Sequence, residues 1–373
     1  MLDAITVGKN IRKYRERINM TQQELAAKLF VSFQAVSAWE RGLALPELEN
    51  TVMLASAFNV PLDALLYEEK DDLFIAIDGG GTKTEFILFD IEGNIKKKLL
   101  LEGSNPNDTG IEKSISVLCQ GLDQMLYSAS VKGIFAGIAG VTTGNNMEEL
   151  EKHIAKKYSV KTKVDTDAVN VLCMGKDLAN SAALICGTGS CVFLRKDYKL
   201  TRVGGWGYLF DRGGSAYDIG NDAIRHTLAV YDGLEDGDLL SDLINERLGG
   251  DPWVKLSEVY KKGRPYIASF APVVIEAEAK GNRTAREILQ TNASRLADLI
   301  KLSIEKNGAP KEFVGGGGFL NNQVFMNMIE KMAGISIYLP ENRPVYGACL
   351  ECLRLSGAAP SSDFKNNFTE SYR

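Results

Sequence analysis

The chain has 373 residues, enough for two or three independent cores, and its 45% hydrophobic and 24% charged content excludes an extended low-complexity polymer. A net charge of −5 excludes a chain coated in nucleic acid but leaves room for one small DNA-reading face. The N-terminal MLDAITVGKN has Asp3 and polar residues where a secretory signal needs a basic and then an apolar stretch. The longest uncharged apolar run, around Ala182 to Leu194, is broken by Gly187-Thr188-Gly189-Ser190 and falls short of the ~20 residues a bilayer needs. These features predict a cytoplasmic protein with no membrane association. Six cysteines (Cys119, Cys173, Cys186, Cys191, Cys349, Cys352) stand in apolar contexts, as reduced core thiols do. Cys349 and Cys352 follow an Ala-rich run at i,i+3 spacing and read as helix packing. With two histidines and no second Cys pair, the chain lacks the ligands for a four-coordinate zinc site.

In chain order, Val7, Ile11, Tyr14 and Ile18 recur on one face of a first helix, with Lys9, Arg12, Lys13, Arg15 and Arg17 on the other. Thr21 with Glu24 forms a capping box that opens a second helix through Leu29. Phe30-Val31 make a tight turn, and Ser32 caps a third helix that Gly42 stops after Arg41. A fourth helix covers about 47–58, and a short fifth begins at Pro61. Glu68 to Asp72 is a charged connector. Beyond it the texture changes. Strands are predicted over 73–77, 85–89, 134–138, 162–164, 182–186, 191–194 and 312–314, with helices such as 111–127 and 284–306 between them, which implies a layered α/β fold. Residues 358–373 read as a polar, loose tail.

Two helices joined by a short turn are the helix-turn-helix signal. The string from Thr21-Gln22-Gln23-Glu24-Leu25-Ala26 to Val36-Ser37-Ala38-Trp39-Glu40-Arg41-Gly42 resembles the Cro-like (XRE) helix-turn-helix family, and the resemblance covers residues 5 to 67. It implies that Gln22 meets a phosphate, that Phe33, Gln34, Ser37 and Ala38 face base edges beside Ser32, that Arg41 lies near the DNA backbone, and that Val36 and Trp39 pack inward. Residues 1 to 45 carry seven Lys/Arg against four Asp/Glu, a modest electrostatic footprint. The reading helix has no basic residue before Arg41. Gln34 is therefore the leading base reader, suited to adenine, and Phe33 suits a thymine methyl. The family implies a homodimer on two operator half-sites about one helical turn apart.

Farther along, a strand runs into Asp78-Gly79-Gly80-Gly81-Thr82-Lys83-Thr84. A turn without side chains lets backbone N–H groups approach phosphate oxygens, and Asp78 stands where Mg²⁺ or its waters can be held. The spacing is not that of a Walker A loop. A second strand enters Gly187-Thr188-Gly189-Ser190, and a third enters Gly315-Gly316-Gly317-Gly318. With Ala136-Gly137-Ile138-Ala139-Gly140 and Val345-Tyr346-Gly347-Ala348, these units resemble the sugar kinase, heat-shock protein and actin superfamily. The resemblance implies an actin-like ATPase of two ribonuclease H-like lobes with ATP and Mg²⁺ in the cleft between them. The organisation it implies is a DNA-binding domain over 1–67, a linker over 68–72, one lobe over 73–178 joined by a C-terminal helix at 345–357, and a second lobe over 179–344.

Within that superfamily Ser104-Asn105-Pro106-Asn107, Thr166-Asp167-Ala168, Gly187-Thr188-Gly189-Ser190 and Gly204-Gly205-Trp206-Gly207 are similar to the N-acetylglucosamine kinase and benzoyl-CoA-reductase-type ATPase family, over residues 73 to about 356. The likeness implies that Asp167 is the general base for a sugar hydroxyl, with Asp165 a structural rival. It implies that Asn105, Thr188, Gly205 and Trp206 line the sugar site, and that Gly80, Gly81, Thr82, Lys83, Thr84, Gly187, Thr188, Gly189, Ser190, Gly316 and Gly317 hold the nucleotide. One stretch departs from the pattern. The family reads Gly-Asp-Glu-Gly-Ser where this chain has Asp211-Arg212-Gly213-Gly214-Ser215. Three readings stay open: Asp211 still reaches the sugar, Arg212 meets an acidic ligand, or the site binds without turnover. The leading expectation is a DNA-binding amino-sugar kinase that couples its sugar to transcription. The alternatives are a non-catalytic sugar-sensing regulator and, less favoured, the activator ATPase of a 2-hydroxyacyl-CoA dehydratase, whose cluster cysteines have no convincing counterpart here.

Overall fold

The computed structural model of the chain describes residues 3–67, 72–126 and 131–373; most of the charged connector expected over 68–72 lies outside them. The fold divides into two compact units, Met1–Asp71 and Asp72–Arg373. Among the described residues no helix is long and apolar enough to cross a membrane.

The first unit has five helices: α1 (Ala4–Arg17), α2 (Gln22–Lys28), α3 (Phe33–Glu40), α4 (Leu48–Phe58) and α5 (Leu62–Leu66). Local chemistry sets their ends. Thr21 and Glu24 complete the capping box of α2, and the Ser32 hydroxyl accepts from the Ala35 N–H at the start of α3. The intervening turn puts Phe30 at φ 57° and leaves its ring 90% exposed, an uncommon conformation for a residue with a bulky side chain. Val7, Ile11, Tyr14, Leu25, Val36, Trp39, Leu54 and Phe58 fill the core.

The second unit holds two five-stranded sheets with the same internal order. The first contains β1 (Leu73–Gly79), β2 (Lys83–Asp90), β3 (Ile95–Glu102), β4 (Val131–Ile138) and β5 (Thr162–Thr166), in the order β3-β2-β1-β4-β5. The second contains β6 (Ser181–Cys186), β7 (Ser190–Lys196), β8 (Lys199–Gly204), β9 (Glu312–Gly316) and β10 (Ser336–Tyr338), in the order β8-β7-β6-β9-β10. In each sheet the first three strands form an antiparallel meander, and the last two add in parallel through helical crossovers. This repeated order is the two-lobed, ribonuclease H-like arrangement expected. The duplication brings the glycine turns after β1 and β6 to one cleft. Strands β3, β8 and β10 were not among those predicted.

The C-terminal helix Pro344–Ser356 crosses back beneath the first sheet, where Val345, Cys349, Cys352 and Leu353 pack with Phe74, Phe89 and Phe135. Both cysteines of the 349/352 pair are fully buried there, and burial pushes the Cys352 thiol up to about 12. One expectation fails. The supposed loose tail contains a helix, Phe364–Tyr372, with Phe364 and Phe368 buried in the same core. Phe364 meets Phe89 edge-on at 6.0 Å, Phe368 meets Tyr346 at 5.0 Å, and the Tyr372 hydroxyl donates to Glu85. Two apolar rings four residues apart outweigh the polar residues around them, because they lie on one helical face. Phe368→Ala should therefore destabilise the second unit by about 3–5 kcal/mol. Urea unfolding of the full chain, followed by intrinsic fluorescence, reads this as a lower midpoint; an unchanged midpoint would show that the helix adds nothing to that core.

Candidate active site and nucleic-acid interface

The cleft between the two sheets contains two adjoining cavities. The first, about 380 Å³, is walled by Asp78, Gly79, Gly80, Gly81, Thr82, Lys83, Glu85, Asp167, Val171, Ile185, Gly317 and Pro344. The second, about 730 Å³, shares Gly81, Asp167 and Ile185 and adds Ala139, Thr188, Gly189, Ser190, Cys191, Gly205, Gly207, Tyr208, Asp211, Ser215, Asp218 and Arg264. Asp167 thus stands in the wall of both. It is the residue before the short helix Ala168–Leu172, at the end of β5, and its carboxylate accepts from the Thr166 hydroxyl at 3.1 Å. Burial pushes its pKa up. Asp165, two residues earlier, accepts from the Thr166 N–H at 2.8 Å and lines neither cavity.

Asp78, next to last in β1, lies on the floor of the first cavity. Burial raises its carboxyl to about 6, and the nearby Asp167 and Glu85 charges push the same way, against a hydrogen bond from Asn170 Nδ2 at 2.6 Å and the charge of Lys83. Asn170, wholly buried, was not foreseen. Its other amide atom, Oδ1, is buried without a partner. Sequence offered one signal for it: a polar residue inside the apolar run Ala168-Val169-Asn170-Val171-Leu172. Among the described residues no three potential ligands converge into a metal cage. The carboxylates of Asp78, Glu85 and Asp167 line the smaller cavity, and such an oxygen-only wall suits a hard cation that keeps its waters and takes its other ligands from phosphate, as Mg²⁺ does.

Several expected residues lie elsewhere. The Thr84 side chain turns away from the cleft, donates to the Glu102 carbonyl and shares a hydrogen bond with the Ser104 hydroxyl, both at 2.8 Å. Its alternation on β2 puts it opposite Lys83. Gly316 is the last residue of β9, and only its neighbour Gly317 reaches the cavity. Asn105 lines neither cavity; it caps the helix Pro106–Thr109 and donates to Asp108 at 2.7 Å behind Gly81. Trp206 is 67% exposed, with the Arg202 guanidinium 4.7 Å from its ring centroid. Arg212 is exposed and outside both walls. Asp211 reaches the second cavity, but its two carboxylate oxygens accept from the Trp206 and Gly207 N–H groups, each at 2.9 Å. It fastens its own loop. The arginine that does enter the cavity, Arg264, was not among the expected site residues.

In the first unit, Val36 and Trp39 are buried, as expected, while Ser32, Phe33, Gln34 and Arg41 are exposed and Ser37 and Ala38 half-exposed on one face. The Arg41 Nε donates back to the Ser37 carbonyl at 3.1 Å. Gln22 is tied down: its amide donates to Glu40 at 2.6 Å, and Glu40 is also gripped by Arg15 at 2.6 and 3.0 Å. That buried trio locks α1, α2 and α3 together. The Gln22 amide then serves the fold at one hydrogen, rather than standing wholly free for a phosphate.

A helix-turn-helix unit followed by two duplicated lobes, with glycine turns facing a shared cleft, defines an actin-like ATPase fused to a DNA-binding-type domain. The chain belongs to the BadF/BadG/BcrA/BcrD ATPase family, which it matches over residues 75–352, and residues 11–65 match a helix-turn-helix family. It is 26% identical to an N-acetyl-D-glucosamine kinase of Dictyostelium discoideum over 325 residues, spanning 76% of this chain and 98% of that one. It is 29% identical to an N-acetylmuramic acid/N-acetylglucosamine kinase of Clostridium acetobutylicum over 265 residues, 66% of this chain and 85% of that one. Its fold is similar to the crystal structure of a putative N-acetylglucosamine kinase from Chromobacterium violaceum, with a TM-score of 0.62 at 21% identity, covering 77% of this chain and 99% of the other.

The raised Asp78 carboxyl makes a stability prediction. Below the unfolded value of 3.8 the group is protonated in both states; above about 6 the folded protein must hold it charged in a buried place, so its contribution falls as pH rises between the two. At ~1.4 kcal/mol per pKa unit, Asp78→Asn should stabilise the protein by on the order of 1–3 kcal/mol at pH 7.5 in EDTA. The advantage should shrink as pH drops from 6 towards 4. Melting temperatures of both proteins across that range check it; a constant difference would reject the burial argument.

Proposed function

We propose that the protein is a cytoplasmic, DNA-binding amino-sugar kinase that transfers a phosphoryl group from ATP to a hydroxyl of an N-acetylglucosamine-like sugar. The observation that carries this reading is Asp167 in the wall shared by the two cavities: a nucleotide in the smaller and a sugar in the larger meet at its carboxylate. The family is one of ATPases, and the named relatives are amino-sugar kinases.

The residues divide the work between them. The Gly79–Lys83 turn and the Gly187–Ser190 hairpin offer backbone approach to phosphates from opposite lobes. The first turn is closed by a Gly80 N–H bond to the Lys83 carbonyl at 2.9 Å, and the second by Gly187 to Gly189 at 2.9 Å. Asp78, with Asn170 behind it, would hold Mg²⁺, which supplies charge neutralisation on the phosphates when bound. Asp167 takes the proton of the attacking hydroxyl. Its place at the end of β5 fixes its direction, and its raised pKa brings it closer to that task. Gly205, Gly207 and Tyr208 shape the sugar side. Replacing Asp167 with Asn should lower sugar-dependent ADP release by ~10²–10⁴-fold while leaving sugar affinity within a few-fold. Coupled-enzyme assay and calorimetry on the same preparations test it, and wild-type turnover in the mutant would remove Asp167 from the role.

The second reading is a sugar-sensing regulator that binds without turnover. The engagement of Asp211 by its own loop favours it, since no free carboxylate remains at that position to grip sugar hydroxyls. Absence of ADP release with every amino sugar, together with measurable sugar binding, would select this reading.

For the first unit we infer operator binding as a homodimer, with α3 in the major groove. Phe33 and Gln34 stand exposed at its first turn, where a recognition helix meets bases. Gln34→Ala should weaken binding to the operator by ~1–3 kcal/mol and leave binding to unrelated DNA unchanged. Fluorescence anisotropy at fixed salt reads both; equal losses on both DNAs would make Gln34 a backbone contact. The same titration with sugar and an ATP analogue reports whether ligand in the cleft shifts operator affinity.

A further inference from the structure

The helix Pro252–Ala268 breaks near its end. Gly263 sits at φ 65° and ψ −154°, far from helical values, and Pro265 follows two residues later. Only glycine adopts that φ,ψ pair readily, and proline disfavours a helical residue before it. The Gly-Arg-Pro sequence therefore takes Arg264 out of the helical course, and its side chain enters the wall of the larger cavity.

There it is preorganised and unsatisfied. The guanidinium carbon lies 4.9 Å from the Tyr208 ring centroid, and Tyr208 in turn meets Tyr217 edge-on at 5.3 Å. The Nε–H is buried and has no hydrogen-bond partner. Among the described residues Arg264 makes no ion pair, although three carboxylates line the same cavity. Each is engaged: Asp167 by Thr166, Asp211 by the Trp206 and Gly207 amides, Asp218 by the Ser215 backbone and hydroxyl. A buried guanidinium edge without an acceptor is unfavourable unless something from outside supplies one. The planar fork fits two oxygens of one anion.

Arg264 lines the larger cavity and not the smaller one, between Tyr208 of the loop that follows Gly205 and Gly207 and Gly189 of the second glycine hairpin, where a Cβ would stand 3.5 Å from the Arg264 Nη2. Through Tyr208 it borders the acceptor side of that hairpin. We propose that Arg264 reads an oxyanion on the acceptor, so that the site prefers an amino sugar bearing a carboxylate or a phosphate ester to its neutral counterpart. This rests on the amino-sugar reading above, and it moves the role once open to Arg212 onto a residue inside the cleft.

The test is calorimetric titration of the full-length protein with N-acetylmuramic acid, N-acetylglucosamine 6-phosphate and N-acetylglucosamine, for wild type, Arg264→Lys and Arg264→Ala, each checked for an unchanged melting curve. The preference of wild type for one of the two anionic sugars over the neutral one should be roughly 10- to 150-fold, the range of one charge-assisted contact. Arg264→Ala should erase the preference, and Arg264→Lys should keep only part of it, since an ammonium cannot reproduce the fork. Which anionic sugar wins separates carboxylate from phosphate. Neutral sugar bound as tightly as both anionic ones by wild type, or a preference that survives in Arg264→Ala, overturns the proposal while leaving the kinase reading intact. A mutant that loses ATP-analogue affinity but keeps its sugar preference also overturns it, by assigning Arg264 to the nucleotide. Binding of none of the three sugars overturns both.

Discussion

The hydrogen bond from Asn170 to Asp78, 2.6 Å long and buried, ties together the parts of the cleft that chemistry needs in register. Asp78 is next to last in the central strand of the first sheet. Asn170 lies one helical turn past Asp167, so a single side chain sets the metal-side carboxylate against the base-side carboxylate. The same amide nitrogen lies 3.4 Å from the Gly137 carbonyl on β4. The Asn170 main chain is pressed against the C-terminal helix: a Cβ at Gly347 would come within 1.8 Å of the Asn170 carbonyl oxygen. A side chain at 347 would push that helix off the short one and shift both acids. Geometry at the reacting centre therefore depends on a glycine in a distant part of the chain, because close-packed interiors transmit displacement.

A second buried contact governs how the lobes meet. Glu351, on the C-terminal helix under the first sheet, accepts bonds from Arg195 of the second sheet and from Arg354 of its own helix. The two guanidinium groups hold its carboxyl down at about 2, against the opposing effect of burial. Such a cluster adds little net stability over an apolar one, yet it is intolerant of losing one member. Its value here is positional. It is the polar junction at which one lobe is keyed to the other, on the far side of the sheets from the glycine turns.

Much of this architecture was legible from residues alone, and the limits have physical causes. The central strands declared themselves as apolar runs entering glycine turns, and the helix-turn-helix unit through its capping box and Ser32 cap. Strands β3 and β8 did not, because each is an edge: Ile95–Glu102 opens with three exposed lysines, and Lys199–Gly204 has no buried residue at all. Edge strands keep solubility by breaking the alternation that reveals a strand. The terminal helix hid behind polar spacing, with two rings doing the anchoring. Within the site, residues in the glycine-rich turns were readable, whereas Asn170 and Arg264 were not. The role of Asn170 comes from packing, which no local motif encodes, and that of Arg264 from a break at Gly263 and Pro265 whose place beside the cavity is set by the rest of the fold. Trp206, which the family pattern implied, and Arg212, which departs from that pattern, stand outside both cavities, on a loop that the Asp211 carboxylate ties through the Trp206 and Gly207 amides.

The same cleft collects unfavourable electrostatics on both sides, and this argues for how the empty and occupied forms differ. On one side Asp78 and Asp167 are half-buried acids in the cavity wall whose charged forms are disfavoured by desolvation. On the other, Arg264 keeps a donor without an acceptor. Neither defect relieves the other, since the acids face the smaller cavity or the shared wall and the guanidinium is held against Tyr208. On the proposed function, a cation with nucleotide would answer the first defect and an anionic group on the acceptor the second. Each ligand therefore removes a different local penalty and stabilises the folded unit in proportion to its saturation. Because both act across one cleft between lobes already keyed at Glu351, closure that improves one contact also brings the other wall nearer. On that reading the nucleotide and the acceptor should tighten one another's binding without any contact between them.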